Sequence, residues 1–218
     1  MTRVTVAMLS AVVAGLMLVP GSVSAKAAMI TVSDSLGDTA VNYDYTAYEP
    51  RIIWGDNTQI SEAGYFDMTL FWFGLKAKSY TFGMELAADL PQEGDPLPPS
   101  VGLVQYMLWL DKDSWDWYED DLTLFMVVLQ YDGASYSAAL LDYPSHEVIM
   151  PLPFTVNGAR FEVEFSSDSI DNTPAFWLFP SVLAYCGQGA SYWWMDIADP
   201  NTAPGQEFNS IPWPSPEL

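Results

Sequence analysis

The protein has 218 residues, 50% of them hydrophobic and 15% aromatic, which excludes general disorder and is enough chain to bury the core of one domain. Its formal net charge is −21, because 28 acidic residues stand against only seven Lys and Arg. This balance excludes nucleic acid as a partner, since a polyanion is bound through a basic surface. The single cysteine, Cys186, excludes an internal disulfide.

The first 27 residues have the organisation of a secretory signal peptide. Arg3 supplies a positive start, residues 4–19 are almost entirely apolar, and Ala25 and Ala27 offer the small side chains that signal peptidase requires. As a helix, this run of 16 residues would span about 24 Å, short of the roughly 30 Å hydrocarbon core of a bilayer. We therefore expect cleavage after about residue 27 and a secreted protein; an uncleaved membrane anchor is the alternative.

The mature chain opens with an acidic turn, Asp34-Ser35-Leu36-Gly37-Asp38. Gly37 suits a tight turn that would aim Asp34 and Asp38 at one point, as two oxygen ligands of a metal ion. An ordinary turn capped by an aspartate explains the same residues. Both interpretations stay open at the level of the sequence.

Strands follow. Residues 80–86 alternate between apolar and polar side chains, which predicts a strand with one buried face. Residues 67–75 and 103–110 are apolar on both faces, which predicts central strands covered on both sides. Between them, residues 91–102 contain four prolines and two acids and are expected to form a surface loop.

The densest polar cluster, residues 111–121, carries six carboxylates and begins where a strand is predicted to end. Ca²⁺ takes six to eight oxygen ligands, and alternate carboxylates lie on one side of an extended loop. We expect Asp111 and Asp113 to share an ion that Asp116 or Asp120 completes. The spacing does not fit an EF-hand. A solvated acidic loop without an ion is the alternative.

Tryptophans accompany these acids. The chain has nine, and Trp115, Trp117, Trp193 and Trp194 fall in or near predicted loops. Exposed indole rings stack on the apolar faces of sugars while nearby carboxylates accept hydrogen bonds from hydroxyls, so these four are candidate ligand-binding residues. Burial in a core is the competing interpretation. It is preferred for the mid-strand Trp72 and Trp109.

Hairpin signals continue through the second half of the chain. Asp132-Gly133 and Asn157-Gly158 each separate two apolar stretches and favour tight turns with positive φ. No stretch has a convincing helical period. The sequence therefore predicts an all-β protein: an antiparallel β-sandwich, jelly-roll or immunoglobulin-like, in a single domain over residues 28–198. A proline-rich tail is expected over residues 199–218.

Enzymatic patterns are weak. A single histidine, His146, excludes a two-histidine metal site, and no phosphate-binding loop is present. A glycosidase pair could lie among Glu85, Glu162 and Glu164. However, Glu162 and Glu164 alternate with apolar residues as the solvent face of an edge strand would. We expect no catalytic residues and a non-enzymatic protein.

The order of these features resembles exported β-sandwich domains of the DOMON-like and family 9 carbohydrate-binding-module-like group. The matching pieces are the turn at residues 34–38, the aromatic strands at residues 65–70 and 80–86, and the strand at residues 106–113 that ends in Asp-x-Asp. The likeness covers roughly residues 30–142. It implies a non-catalytic sandwich that binds glycan, or haem in some members, often with a structural Ca²⁺.

Three functions follow as hypotheses. The first is a secreted β-sandwich that binds carbohydrate or another cell-surface polymer and is stabilised by Ca²⁺. The second is a structural subunit of a surface layer, pilus or biofilm fibre that self-associates by strand addition, with Ala28–Val32 as a donor strand. The third is a small glycoside hydrolase. Neither nucleic acid nor a membrane is expected as a partner after signal cleavage.

Overall fold

The structure is a computed structural model that describes residues 28–34, 41–44, 51–54, 64–98, 101–111, 123–143, 145, 147–171, 176–186, 191–197 and 211–213. The predicted signal peptide lies outside these residues, as does His146. No helix in the described part of the chain has the length and apolar character needed to cross a membrane.

Fourteen strands and two short 3-10 helices make up the described secondary structure. The strands are β1 (Ala28–Ser33), β2 (Val41–Asp44), β3 (Arg51–Trp54), β4 (Met68–Lys76), β5 (Ser79–Leu86), β6 (Val101–Asp111), β7 (Thr123–Tyr131), β8 (Tyr136–Asp142), β9 (Val148–Pro151), β10 (Phe154–Asn157), β11 (Arg160–Ser166), β12 (Phe176–Cys186), β13 (Ser191–Ile197) and β14 (Ile211–Trp213). The 3-10 helices are Gly64–Phe66 and Ser167–Ile170.

These strands form two antiparallel sheets, so the predicted all-β sandwich is confirmed. The five-stranded sheet has the order β1-β4-β5-β11-β10. The nine-stranded sheet has the order β3-β2-β13-β12-β6-β7-β8-β9, and β14 pairs with the first residues of β12. Part of the predicted proline-rich tail, Ile211–Trp213, is therefore a strand of this sheet.

The core lies between the sheets and is rich in aromatic rings. Phe82 and Phe161 of the five-stranded sheet meet edge to face, with ring centroids 5.4 Å apart. Phe161 also reaches Tyr106 of the nine-stranded sheet, at 5.2 Å. Each of these side chains is at most 1% exposed. Such rings bury large apolar areas, which is the dominant favourable term for a sandwich without disulfides.

Strand β6 is buried on both faces, as its sequence predicts. Tyr106 and Leu108 point into the core between the sheets, whereas Met107 and Trp109 belong to a second apolar cluster on the other face. Trp109, at 8% exposure, packs edge to face on Tyr143 at 5.3 Å. The prediction that Trp109 is a core residue is confirmed.

Strand β4 is central in its sheet but is covered on one face only. Phe71 and Phe73 are fully buried, whereas Trp72 between them is half-buried on the outer face. The predictions that β4 is covered on both sides and that Trp72 is core are therefore wrong. Trp72 lies against Gly83 of β5 and donates a hydrogen bond from Nε1 to Glu162 Oε1 of β11, at 3.2 Å. Glycine leaves a gap in the outer face, and the indole fills it.

Strand β11 alternates as expected, with Phe161, Val163 and Phe165 buried and Glu162 and Glu164 exposed. It is not an edge strand, because it lies between β5 and β10. The alternation in the sequence shows which face of the strand meets solvent, but only the pairing with neighbouring strands shows which strand lies at the edge of the sheet.

Pro180 lies in the middle of β12, a strand with neighbours on both sides. On one side, the described partners are β14 at Phe176–Leu178 and β13 at Ser181–Cys186, so no described residue pairs with Pro180 there. A residue without an amide hydrogen costs least where no neighbouring carbonyl faces it. This arrangement explains how a proline is accommodated inside the sheet.

Both hairpins predicted from glycine dipeptides are present. Gly158 takes a φ of 59° at the first position of the two-residue turn between β10 and β11, as a type II′ turn requires. Gly133, with a φ of 86°, lies in the turn between β7 and β8. There the Asp132 carboxylate accepts hydrogen bonds from the amides of Ala134 and Ser135, both at 2.9 Å, and these bonds lower the pKa of Asp132.

The two sheets are joined at one side by a crossover of two residues, Leu152-Pro153, between β9 and β10. β9 ends the nine-stranded sheet and β10 ends the five-stranded one, so the chain steps from one edge to the other. Leu152 is 6% exposed and donates its amide hydrogen to Ala138 of β8. It closes the core at this side.

Candidate ligand-binding groove

Of the predicted calcium ligands in this segment, the structure describes only Asp111. Asp113, Asp116 and Asp120 lie outside the described residues. Asp111 is the last residue of β6 and is paired with both neighbouring strands, instead of opening a loop. Its side chain is only 2% exposed. The expected position of Asp111 in the loop after the strand is therefore wrong, and the alternative of a solvated loop does not apply to this residue. Calcium binding by Asp111 and the segment that follows stays a prediction.

Of the second predicted metal pair, the structure describes only Asp34, because Asp38 lies outside the described residues. Asp34 follows β1, is half-buried, and donates its amide hydrogen to the Thr69 carbonyl at 3.0 Å. Among the residues that the structure describes, no three His, Cys, Asp or Glu side chains come together as metal ligands do.

Of the four predicted ligand-binding tryptophans, the structure places only Trp193 and Trp194, and their strand positions are distant from Asp111. Trp115 and Trp117 lie outside the described residues, and Trp193 and Trp194 lie within β13 instead of in a loop. Through β12, Trp194 is level with Gln105, six residues before Asp111 on β6. At about 3.3 Å per residue, this separation is roughly 20 Å along the sheet.

A groove that sequence reasoning did not identify lies beside the crossover. It has a volume of about 380 Å³, and we call it the Tyr136 groove. It is lined by Asp89, Leu90, Pro91, Gln92, Glu93, Tyr136, Phe154, Val156 and Gly158. These residues come from the loop after β5, from β8 and from the β10–β11 hairpin, so both sheets contribute.

Two rings give the groove its apolar surface. Tyr136 starts β8 and Phe154 starts β10, and the crossover brings their ring centroids to 6.4 Å at an angle of 51°. Phe154 is 36% exposed, which is unusual for a large apolar side chain in this fold. The Tyr136 hydroxyl donates to the Pro91 carbonyl at 2.7 Å, so the orientation of this ring is locked.

Polar groups surround the rings. Asp89, Gln92 and Glu93 are exposed and contribute two carboxylates and one amide. Asp89 lies against the hairpin turn, where its Oδ1 would be 3.2 Å from a Cβ built on Gly158. The Leu90 amide donates to the Gly158 carbonyl at 2.9 Å and ties the loop to that turn. An apolar floor with a few fixed polar groups is typical of a small-molecule site.

A cluster of tyrosines holds the loop that forms one wall. The Tyr131 hydroxyl lies 2.7 Å from the carbonyl oxygens of both Gln92 and Asp95, and Tyr106 donates to the Tyr65 carbonyl at 3.2 Å. Burial raises the pKa of Tyr65 to about 12 and raises the pKa of Tyr106, Tyr131 and Tyr136 as well. The expected surface loop is thus confirmed for residues 91–98 and is pinned at its base, whereas Val101 and Gly102 already belong to β6.

These raised pKa values predict alkaline unfolding. A tyrosine whose pKa is raised in the folded protein contributes stability that is complete below its unfolded pKa of 10.0 and is lost as the pH rises through the folded value. We expect the free energy of unfolding to fall between about pH 10 and pH 12, with tyrosinate absorbance from this cluster appearing only as the fold is lost. Simultaneous absorbance and circular dichroism during titration measure both. Ionisation of all tyrosines as one class near pH 10 in a folded protein would contradict the burial of the cluster.

Sequence reasoning missed the Tyr136 groove because its residues are distant in the chain. Tyr136 and Phe154 belong to strands of different sheets, and Asp89 comes from a third segment. The sequence offered one signal for this groove, namely the positions of the two aromatic residues in the chain. Both rings stand close to the turn dipeptides Asp132-Gly133 and Asn157-Gly158, where strand ends meet loops.

No protein-family model, curated protein or solved structure matches this chain.

Proposed function

We propose that this protein is a secreted, non-enzymatic β-sandwich that binds carbohydrate through the Tyr136 groove. The observation that carries the proposal is the pairing of exposed Phe154 with the locked Tyr136 ring beside Asp89 and Glu93. Ring faces pack on the apolar faces of sugars, and carboxylates accept hydrogen bonds from hydroxyls. The proposal keeps the class of ligand that the sequence suggests but moves the site away from the tryptophan-bearing segments.

Binding is favoured over hydrolysis by the surroundings of the three candidate glutamates. Glu85 forms an ion pair with Arg160 at 2.6 Å, and Glu162 accepts the Trp72 hydrogen bond. Glu162 and Glu164 are exposed on the outer face of the five-stranded sheet. A glycosidase needs two carboxyl groups on either side of a bound sugar, one of them with a raised pKa. Of the three candidates, only Glu164 lines a described groove, so no two of them lie on either side of an enclosed sugar there.

Removal of the exposed ring should weaken carbohydrate binding. Soluble neutral polysaccharides and their oligosaccharides serve as probes, first on a glycan array and then by isothermal titration calorimetry. We expect Phe154→Ala to raise the dissociation constant about tenfold, equivalent to about 1.4 kcal/mol, because the stacking surface is lost. The same titration in the presence of a chelator tests the proposed contribution of Ca²⁺.

Met29→Ala is the matched control, because Met29 is also an exposed large apolar residue, at 70%, but lies on β1 at the other edge of its sheet. It should bind as the unmodified protein does. Absence of binding to every neutral glycan, or equal affinities for the two variants, would remove the groove as a carbohydrate site.

A further inference from the structure

An apolar edge strand lies next to the crossover. Among the described residues, five large hydrophobic side chains are exposed, and three of them are consecutive in β9: Val148 at 63%, Ile149 at 44% and Met150 at 38%. β9 pairs with β8 and, in the described part of the sheet, has no strand on its other side. Edge strands of monomeric proteins usually carry charges that prevent association, and β9 carries none.

A second groove, which we call the Lys76 groove, adjoins this edge and has a volume of about 410 Å³. Met150, Leu152, Pro153 and Phe165 give it an apolar floor. Its exposed charged residues are Lys76, Lys78 and Glu164. An apolar patch bordered by charge is typical of a protein–protein contact.

The two lysines are notable in a chain of net charge −21. The structure describes the side-chain surroundings of three cations, and the third, Arg160, is held by Glu85 at 2.6 Å. Lys78 contacts Asp168 only at 3.4 Å, with both side chains more than half exposed. Exposed Glu164 lines the same groove, so with Asp168 the acidic and basic groups here balance. Lys76 forms no ion pair with a described residue, and a carboxylate of a partner would complement this cation.

We propose that β9 associates with β9 of a second copy of this chain, antiparallel and about a two-fold axis. An axis between Ile149 and Met150 places Val148 opposite Pro151 and Glu147 opposite Leu152. Leu152 lines the Lys76 groove, so exposed Glu147 of each copy comes beside Lys76 and Lys78 of the other. Because of the two-fold symmetry, each of these contacts occurs twice in the dimer.

Two features keep this association from propagating. Pro151 has no amide hydrogen, and the β8–β9 register shifts at Ile149, so few backbone groups are available for a ladder. Apolar side chains and the Glu–Lys pairs therefore carry the contact. Because each copy uses its own β9, the dimer is closed and does not grow into a fibre. This differs from donor-strand assembly by Ala28–Val32, a segment that already pairs with β4 of its own sheet.

Sedimentation velocity of the purified protein over a range of concentrations tests the dimer. We expect a reversible monomer–dimer equilibrium, weakened at least tenfold by Met150→Lys, which places like charges at the axis. Met29→Lys introduces the same change at a more exposed position on β1 and should leave the equilibrium unchanged. A protein that stays monomeric up to its solubility limit, or equal behaviour of the two variants, would overturn the proposal.

A charge exchange tests the register. Glu147→Lys and the double variant Lys76→Glu/Lys78→Glu should each weaken the dimer at least tenfold, and their combination should restore most of the loss. All three residues are exposed, so the variants should fold, which circular dichroism verifies. Glu162→Lys is the control for overall charge: reduced repulsion alone would strengthen association in both lysine variants. If Glu147→Lys strengthens the dimer as Glu162→Lys does, or the combination fails to recover, the proposed register is wrong.

Discussion

Phe161→Ala should lower the free energy of unfolding by about 3–5 kcal/mol, the largest effect that we expect from a single substitution. Phe161 is 1% exposed and contacts Phe82 of its own sheet and Tyr106 of the facing one. The truncation removes a ring that links the two sheets and leaves a cavity that the surrounding strands cannot close. Equilibrium unfolding in guanidinium chloride measures the loss.

Thr155→Ala on β10 is the control for this measurement. Thr155 is exposed and belongs to the strand that pairs with β11, so its removal should change stability by no more than about 0.5 kcal/mol. If Phe161→Ala lowered the free energy of unfolding as little as Thr155→Ala does, Phe161 would not link the two sheets as described.

Gly83→Ala should destabilise the protein by about 1–3 kcal/mol, although alanine is normally preferred to glycine in a strand. A Cβ on Gly83 would overlap the Trp72 indole, so the ring must move away from β5 and lose its hydrogen bond to Glu162. Unfolding measurements with tryptophan fluorescence report both the stability and the displacement of the ring.

Gly102→Ala is a matched control, since Gly102 is also in a strand but a Cβ there meets no atom within 4 Å. We expect a neutral or slightly stabilising effect, because alanine restricts the unfolded chain. In the background of Trp72→Ala, the cost of Gly83→Ala should largely disappear, since the two residues are in contact. Additive costs would show that the indole does not lie over Gly83.

The groove and the edge strand place two distinct surfaces on one side of the sandwich. The Tyr136 groove includes Phe154, and the Lys76 groove includes Leu152 and Pro153, so the crossover separates them. Their tests are independent, because carbohydrate binding by a monomer and dimerisation without a ligand are each measurable alone. If both hold, each dimer would present two carbohydrate sites, and binding to a polymer would gain from multivalency.

Local sequence patterns predicted the strands well because the alternation of side chains follows directly from backbone geometry. Phe82 and Phe161 were placed in strands with one buried face, and Gly158 in a tight turn, from neighbours within a few residues. The same reasoning failed where pairing decides the outcome. It made β11 an edge strand, and it placed Trp72 in the core without knowledge that Gly83 lies beside it.

The amino-acid sequence by itself determined the class of fold, the positions of the hairpin turns and the acidic character of the surface, all of which depend on composition and short-range periodicity. Only the tertiary structure decided the strand order, the burial of Asp111, the ring contact of Tyr136 with Phe154, and the placement of Lys76 and Met150 in the lining of one groove. These are contacts between residues far apart in the chain. They arise because the two sheets must stack to bury their aromatic faces, and no local pattern encodes which edges then become neighbours.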